Sequence, residues 1–161
     1  MSNSLTALVA VAAVIVAIFA LVHASHVQSS NRAQLNGAAV RRVVAVAKRD
    51  AVDLSTYSAA SLRQDWAKVE QESTTAFAKQ FKQTSNPVGG LFTRYDASAR
   101  GTIAQAAPIS VSGSKAQVLV LVDQTAFSSA SPAPQKYSEA MVETLLNQKG
   151  KWLLDKLDIV H

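Results

Sequence analysis

Residues Lys115–Thr125, KAQVLVLVDQT, contain an unbroken apolar run at Val118–Val122. Val is one of the β-branched residues enriched in strands. Because successive side chains of a strand point to opposite faces, this run is apolar on both faces of a sheet. Such a strand lies in the centre of its sheet, with both faces at least partly covered. The segment therefore predicts a β-sheet built around Lys115–Thr125.

Other segments with the two-residue period of a strand lie on both sides of this one. The predicted strands, in chain order, are Thr102–Ser112, Lys115–Thr125, Tyr137–Gln148 and Lys151–Val160. Short turns at Ser112–Ser114 and Lys149–Gly150 predict an antiparallel meander. Pro108 has no backbone N–H to donate, which predicts a sheet edge or a bulge there. The Ser- and Pro-rich stretch Phe127–Gln135, FSSASPAPQ, is predicted to be a loop.

Before Thr102 the apolar residues recur with the period of a helix. The first helix is predicted from Gln34 to about Ser55, with an apolar stripe formed by Val40, Val43, Val44, Ala47, Ala51 and Leu54. Three shorter helices follow, carrying Leu62, Trp66 and Val69, then Phe77 and Phe81, then Leu91, Phe92 and Tyr95. Helices followed by an antiparallel meander are typical of an α+β fold. We expect a curved sheet wrapped around the helices, forming a cone with a pocket.

An apolar segment, Leu5–Val22, precedes this domain and contains no charged residue. As a helix its 18 residues would span roughly 27 Å, close to the ~30 Å hydrocarbon core of a bilayer. The preceding MSNS has no basic residue, and the run is longer than that of a cleaved signal peptide. We therefore predict an uncleaved single-pass anchor at residues 1–24, a tether at 25–33 and the α+β domain at 34–161.

Small residues recur along this segment at steps of four and three. They would occupy one face of the helix and are Thr6, Ala10, Ala13, Ala17, Ala20 and Ala24. In a bilayer, small residues let two helix backbones approach closely and gain dispersion contacts. The pattern predicts a helix-packing interface, although Ala is also simply common in apolar helices.

The charges exclude some partners and leave the orientation open. The net charge is +5, with the basic residues scattered and in no long run, so nucleic acid is not indicated. The basic residues nearest the anchor, Arg32, Arg41 and Arg42, all follow it. The positive-inside rule would therefore put the domain in the cytoplasm, but long domains translocate largely regardless of such charges.

Cysteine and histidine usage predicts no metal centre and no cofactor. The chain has no Cys, which excludes disulfides and Cys-ligated metals. Its three His residues, His23, His26 and His161, lie at the membrane edge and at the end of the chain. The first two are three residues apart, but no third metal ligand is nearby. We therefore interpret them as polar residues at the membrane interface.

The layout resembles the Mce-associated membrane proteins (Mam family) of actinobacteria over nearly the whole chain. The similar features are the anchor, the helix that ends in Leu54–Tyr57, the Phe77 and Phe81 pair, the strand Val118–Val122 and the C-terminal Gly150–Leu154. Those proteins resemble the cone-shaped nuclear-transport-factor-2-like fold, as do the extracytoplasmic domains of some type IV secretion assembly factors. The resemblance implies an extracytoplasmic domain on the cell membrane and an accessory role beside Mce lipid importers.

Three functions are compatible with these features. The first is a non-catalytic accessory subunit that docks its anchor on the permease of an importer and contacts its other subunits. The second is a lipid-binding module whose pocket is lined by Tyr57, Trp66, Phe77, Phe81 and Tyr95, although aromatics at helical spacing are more often core. The third is a small enzyme of the same fold, with Tyr57, Asp65, Tyr95, Asp96 and Asp123 as candidates. Each candidate has a simpler structural explanation and no nucleophile motif is present, so we expect no catalysis.

Overall fold

The computed structural model of the chain describes residues 37–160, which form helices on one side of a single sheet. The helices are α1 (Gly37–Ser55), α2 (Leu62–Gln71), α3 (Thr75–Ser85), a 3-10 turn (Asn86–Val88) and α4 (Gly89–Arg94). The strands are β1 (Tyr57–Ser58), β2 (Ser98–Val111), β3 (Lys115–Ser128), β4 (Ser131–Gln148) and β5 (Lys151–Val160). The predicted anchor, its small-residue face and the tether lie outside the described residues. Within residues 37–160 no helix has the length and hydropathy needed to cross a bilayer.

The sheet is antiparallel, and its five strands follow one another in chain order from β1 to β5. The strand β3 therefore lies between β2 and β4, which confirms the predicted central position of Lys115–Thr125. On the helix-facing side Val118 and Val120 are 0% exposed. Leu119 and Leu121, on the opposite side, are only half-buried. The helices cover one face of the sheet, and the other face is partly exposed.

The predicted loop at Phe127–Gln135 is wrong. The strand β3 continues to Ser128, and β4 begins at Ser131 after a two-residue turn. The first half of β4 pairs with β3 alone, because the pairing of β4 with β5 begins at Ala140. A strand with one free edge tolerates residues that cannot donate a backbone hydrogen bond, such as the prolines of this stretch.

The strand β2 also begins earlier than predicted, at Ser98 rather than at Thr102. Its first two residues pair with the short strand β1, which the sequence pattern did not reveal. Beyond Ala99 the outer edge of β2 is free of β1, and the register with β3 shifts between Pro108 and Ser110. The prediction that Pro108 marks an edge or a bulge is confirmed.

The apolar stripe of α1 faces the sheet, as predicted. Val43, Ala47 and Ala51 are 0% exposed, and the two alanines let the helix lie close to the strands. Val40, Val44 and Leu54 pack at the border of the same cluster. Trp152 on β5 is 7% exposed and belongs to this cluster together with Phe77 and Phe81 of α3. Helices and sheet thus share one main core, beside a smaller cluster around Phe92.

Backbone hydrogen bonds attach the helical layer to β5. The Thr74 N–H donates to the Leu154 carbonyl at 2.8 Å, and the Leu154 N–H donates to the Glu72 carbonyl at 3.0 Å. Thr74 is also the N-cap of α3, since its hydroxyl oxygen accepts from the Phe77 N–H at 3.3 Å. The junction between α2 and α3 is therefore fixed to the last strand.

Candidate functional site

A small pocket opens between the end of α1 and the three shorter helices. Its aromatic lining consists of Tyr57, Trp66, Phe81 and Phe92, and its polar lining of Asp53, Thr84 and Ser85. The aromatic rings meet edge to face, with Trp66 6.3 Å from Phe81 and 5.9 Å from Phe92, centroid to centroid. Tyr57 meets Phe92 in the same way at 5.0 Å. Such T-shaped pairs are favourable contacts that hold the pocket wall in shape.

The free volume of the pocket is about 20 Å³. That is room for one water molecule, whereas a cavity that binds benzene measures about 150 Å³ on the same scale. Because an acyl chain is larger than benzene, it would enter only if helices or side chains moved apart. The Ser85 hydroxyl lies at the wall, 6% exposed, and has no hydrogen-bond partner within residues 37–160.

The five residues predicted for the pocket divide into three groups. Tyr57, Trp66 and Phe81 line it together. Phe77 stacks on Phe81 at 6.4 Å and faces the main core instead. Tyr95 is half-buried beside the smaller cluster around Phe92, and its carbonyl accepts from Ser129. Sequence reasoning put Phe92 on a helix but did not select it for the pocket, although it is 1% exposed.

A cluster of acidic residues lies under α1 and was missed by the sequence analysis. Asp50 is 3% exposed and Glu143 is 0% exposed. The periodicity did contain a signal, because Asp50 falls on the apolar stripe between Ala47 and Ala51. Glu143 likewise shares strand parity with Met141 and Leu145. In an amphipathic pattern, a charged residue in an apolar position predicts burial.

One arginine, Arg49, forms ion pairs with two acids of this region. The Arg49 guanidinium donates to Asp50 Oδ1 at 2.7 Å and lies 2.9 Å from Glu72 Oε1. Burial raises the pKa of Asp50 to about 7, against the opposing effect of Arg49. Burial likewise raises the pKa of Glu72, again against Arg49. Burial raises the pKa of Glu143 well above its usual range, and the charge of Asp50 adds to that rise.

The residues considered for catalysis have structural partners or exposed positions. Asp65 accepts from the Ser61 hydroxyl at 2.6 Å and from the Ser58 N–H at 3.2 Å. Asp123 is exposed and accepts from the Ser138 hydroxyl at 2.6 Å. Asp96 is an exposed turn residue with a φ of 45°, a conformation that Asp adopts more readily than most residues. Burial raises the pKa of Tyr57 to about 12, so this phenol stays protonated at neutral pH.

The described part of the chain, residues 37–160, contains no group of three or more His, Cys, Asp or Glu residues placed to hold a metal ion.

Comparison with known sequences gives uncharacterized proteins of Mycobacterium tuberculosis. No family model matches the chain. The uncharacterized protein Rv1362c of Mycobacterium tuberculosis is 29% identical to it over 124 residues, which cover 76% of this chain and 56% of the relative. The chain thus spans a little over half the length of the curated relatives it matches.

Comparison with solved structures gives similar folds at low sequence identity. The periplasmic domain of DotI has a TM-score of 0.64 at 11% identity, covering 84% of this chain and 98% of that one. An IcmL-like type IV secretion system protein from Legionella pneumophila has a TM-score of 0.62 at 9% identity, covering 83% and 94%. VirB8 of Agrobacterium tumefaciens has a TM-score of 0.52 at 11% identity, covering 82% and 96%. These likenesses confirm the predicted α+β, nuclear-transport-factor-2-like fold.

Proposed function

We propose that this protein is a non-catalytic accessory subunit of a membrane complex, with its α+β domain outside the cytoplasm. The observation that carries the proposal is the extent of the structural likeness. The chain covers 94% of an IcmL-like type IV secretion system protein and 98% of the periplasmic domain of DotI. The chain thus matches those domains almost end to end. The acids considered for catalysis have structural partners or exposed positions, which is consistent with a binding role.

We further propose that the complex is an Mce-type lipid importer and that the anchor docks on its permease. The sequence resemblance to Mce-associated proteins supports this, and so does a similar protein in Mycobacterium tuberculosis. The proposed contact is the small-residue face of the anchor, centred on Ala13 and Ala17. Close approach of two helices there gains dispersion contacts, which are lost steeply when a gap opens.

Bulky substitutions on that face test the docking. Ala13→Leu combined with Ala17→Leu keeps the segment apolar, so membrane insertion should survive while co-purification of permease subunits falls. Ile15→Phe adds bulk on the opposite face and is the matched control. Uptake of a labelled fatty acid or sterol should fall with the double variant and in a deletion strain. Undiminished co-purification would exclude the alanine face as the docking surface, and undiminished uptake after deletion would exclude the importer.

A single cysteine tests the side of the membrane. Ala130→Cys places a unique thiol in the exposed turn between β3 and β4, because the natural chain has no cysteine. A membrane-impermeant thiol reagent should label it in intact cells once the outer envelope is permeable. Ala116→Cys, at a position that is 0% exposed, is the unreactive control. Labelling of the exposed cysteine only after lysis of the cell membrane would place the domain in the cytoplasm.

A further inference from the structure

The core contains a carboxyl group surrounded by apolar side chains. Glu143 is in the middle of β4 and is 0% exposed. Its cross-strand neighbours are Val118 on β3 and Leu157 on β5, both buried. In the described part of the chain neither of its carboxyl oxygens has a hydrogen-bond partner. An ionised carboxylate in such a place is costly, whereas a protonated one costs far less.

The second carboxyl group comes from α1, which packs mainly on β2 and β3 and also touches β4. Asp50 on α1 has one oxygen held by Arg49 at 2.7 Å, and within residues 37–160 its Oδ2 has no partner. The same guanidinium also binds Glu72 at the end of α2. One cation is thus shared by two carboxylates.

The charges around the pair can be counted element by element. The helix α1 contributes Arg49, Asp50 and Asp53, and the end of α2 contributes Glu72. The residues that face Glu143 from β3 and β5 are apolar, as above. Four carboxyl groups therefore lie around one arginine. Because Asp50 and Glu143 are the two buried ones, ionising both together is opposed by desolvation and by repulsion between like charges.

We propose that Asp50 and Glu143 form a pH-sensitive latch between α1 and the sheet. The latch holds α1 down while Glu143 keeps its proton, and it loosens when that proton leaves. The direction follows from burial, which raises the pKa of both groups. The unfolded or opened chain loses these protons at lower pH than the closed one, so closure weakens as the pH rises.

A change in the latch would affect the segment that precedes α1. Residues 1–36 lead directly into α1, so a change in how α1 rests on the sheet acts on the segment that precedes it. If that segment is the anchor of the proposed accessory subunit, the latch would couple the pH outside the membrane to the subunit's contacts. The latch itself depends only on residues of the domain, so it can be tested apart from any partner.

The test is hydrogen exchange of the full chain in mild detergent, followed in peptides of α1 between about pH 5 and about pH 9. After correction for the intrinsic exchange rate, wild-type protection of α1 should fall with rising pH. The fall should reach up to about tenfold per pH unit for each proton released. Glu143→Gln mimics the protonated group and should remove the Glu143 share of this dependence, leaving the part due to Asp50 and keeping α1 better protected at high pH.

Asp123→Asn is the matched control, because Asp123 is an exposed acid on the other face of the sheet. This variant should keep the wild-type pH dependence. If Glu143→Gln does not fold, Glu143→Met, which also removes the charge, takes its place in the same comparison. Wild-type protection that does not change with pH would overturn the latch. An equal pH dependence in the uncharged variant would overturn it as well.

Discussion

Gly101→Ala tests how closely the end of α1 approaches the sheet. Gly101 lies in β2 beside Ser55, the last residue of α1. A Cβ at Gly101 would collide with the Ser55 hydroxyl, and it would lie 2.5 Å from Ser55 Cβ and 3.4 Å from the Ser55 carbonyl carbon. Cβ atoms essentially never approach other heavy atoms closer than 3.0 Å. The alanine is therefore accommodated only if the helix end or the strand moves.

Three hydrogen bonds oppose that movement. The Ser55 hydroxyl donates to the Ala51 carbonyl at 2.5 Å, and Gln124 Nε2 donates to the Ser55 carbonyl at 2.8 Å. The Gly101 N–H donates to Thr56 Oγ1 at 3.1 Å. Overpacking of this kind costs about 1–3 kcal/mol, and each weakened hydrogen bond adds about 1 kcal/mol. We expect Gly101→Ala to lower the free energy of unfolding by roughly 3 kcal/mol, or roughly 10–15 °C in Tm.

The assay is thermal and urea unfolding of the full chain in mild detergent, followed by the fluorescence of Trp66 and Trp152. Gly113→Ala is the matched control, because a Cβ at Gly113 meets no atom within 4 Å. Its effect should stay within about 0.5 kcal/mol. Ser55→Gly removes the clashing side chain, so the double variant should lose less stability than the sum of the two single variants. A Gly101→Ala protein with the wild-type Tm would refute the close approach.

The remaining predictions concern one core residue, one cap and one titrating group. Trp152→Ala should cost roughly 3–5 kcal/mol, because this side chain is 7% exposed in the main cluster; urea unfolding with an unchanged midpoint would contradict that. Thr74→Ala should cost about 0.5–2 kcal/mol, because it removes the α3 cap and a 2.8 Å hydrogen bond to Asp155; circular dichroism melting measures it. Burial raises the pKa of Asp50 from 3.8 to about 7, so the stability contributed by its protonated form is complete below about pH 4 and lost by about pH 7. Asp50→Asn should abolish that loss, worth roughly 4 kcal/mol, in unfolding midpoints measured across this range; parallel curves for the two proteins would exclude it.

Much of the secondary structure could be predicted because it follows from local periodicity. The four-residue recurrence of Val43, Ala47 and Ala51 predicted α1 and its buried face. The unbroken apolar run Val118–Val122 predicted the central strand. In both cases the signal lies within one element, so no knowledge of distant residues is needed. The predicted α+β fold followed from the order of these elements.

The Ser- and Pro-rich stretch before Tyr137 shows where local reasoning failed. Its composition is that of a loop, yet it continues β3 and β4 as a hairpin. This stretch can be a strand because the first half of β4 has a free edge: β5 pairs with β4 only from Ala140 onward. Which side of a strand is left without a neighbour depends on where a distant strand ends, and no local pattern reports it.

By itself the sequence determined the elements, the central place of β3 and the apolar segment at residues 5–22, because hydropathy and periodicity are local properties. Only the tertiary structure decided which side chains share a cavity. It set Phe92 beside Tyr57 and Trp66, and it turned Phe77 toward the main core. It also put Asp50 and Glu143, more than 90 positions apart in the sequence, close enough for their charges to interact. Burial and the resulting pKa values arise from that meeting of two faces, because desolvation depends on everything packed around a group and not on its neighbours along the chain.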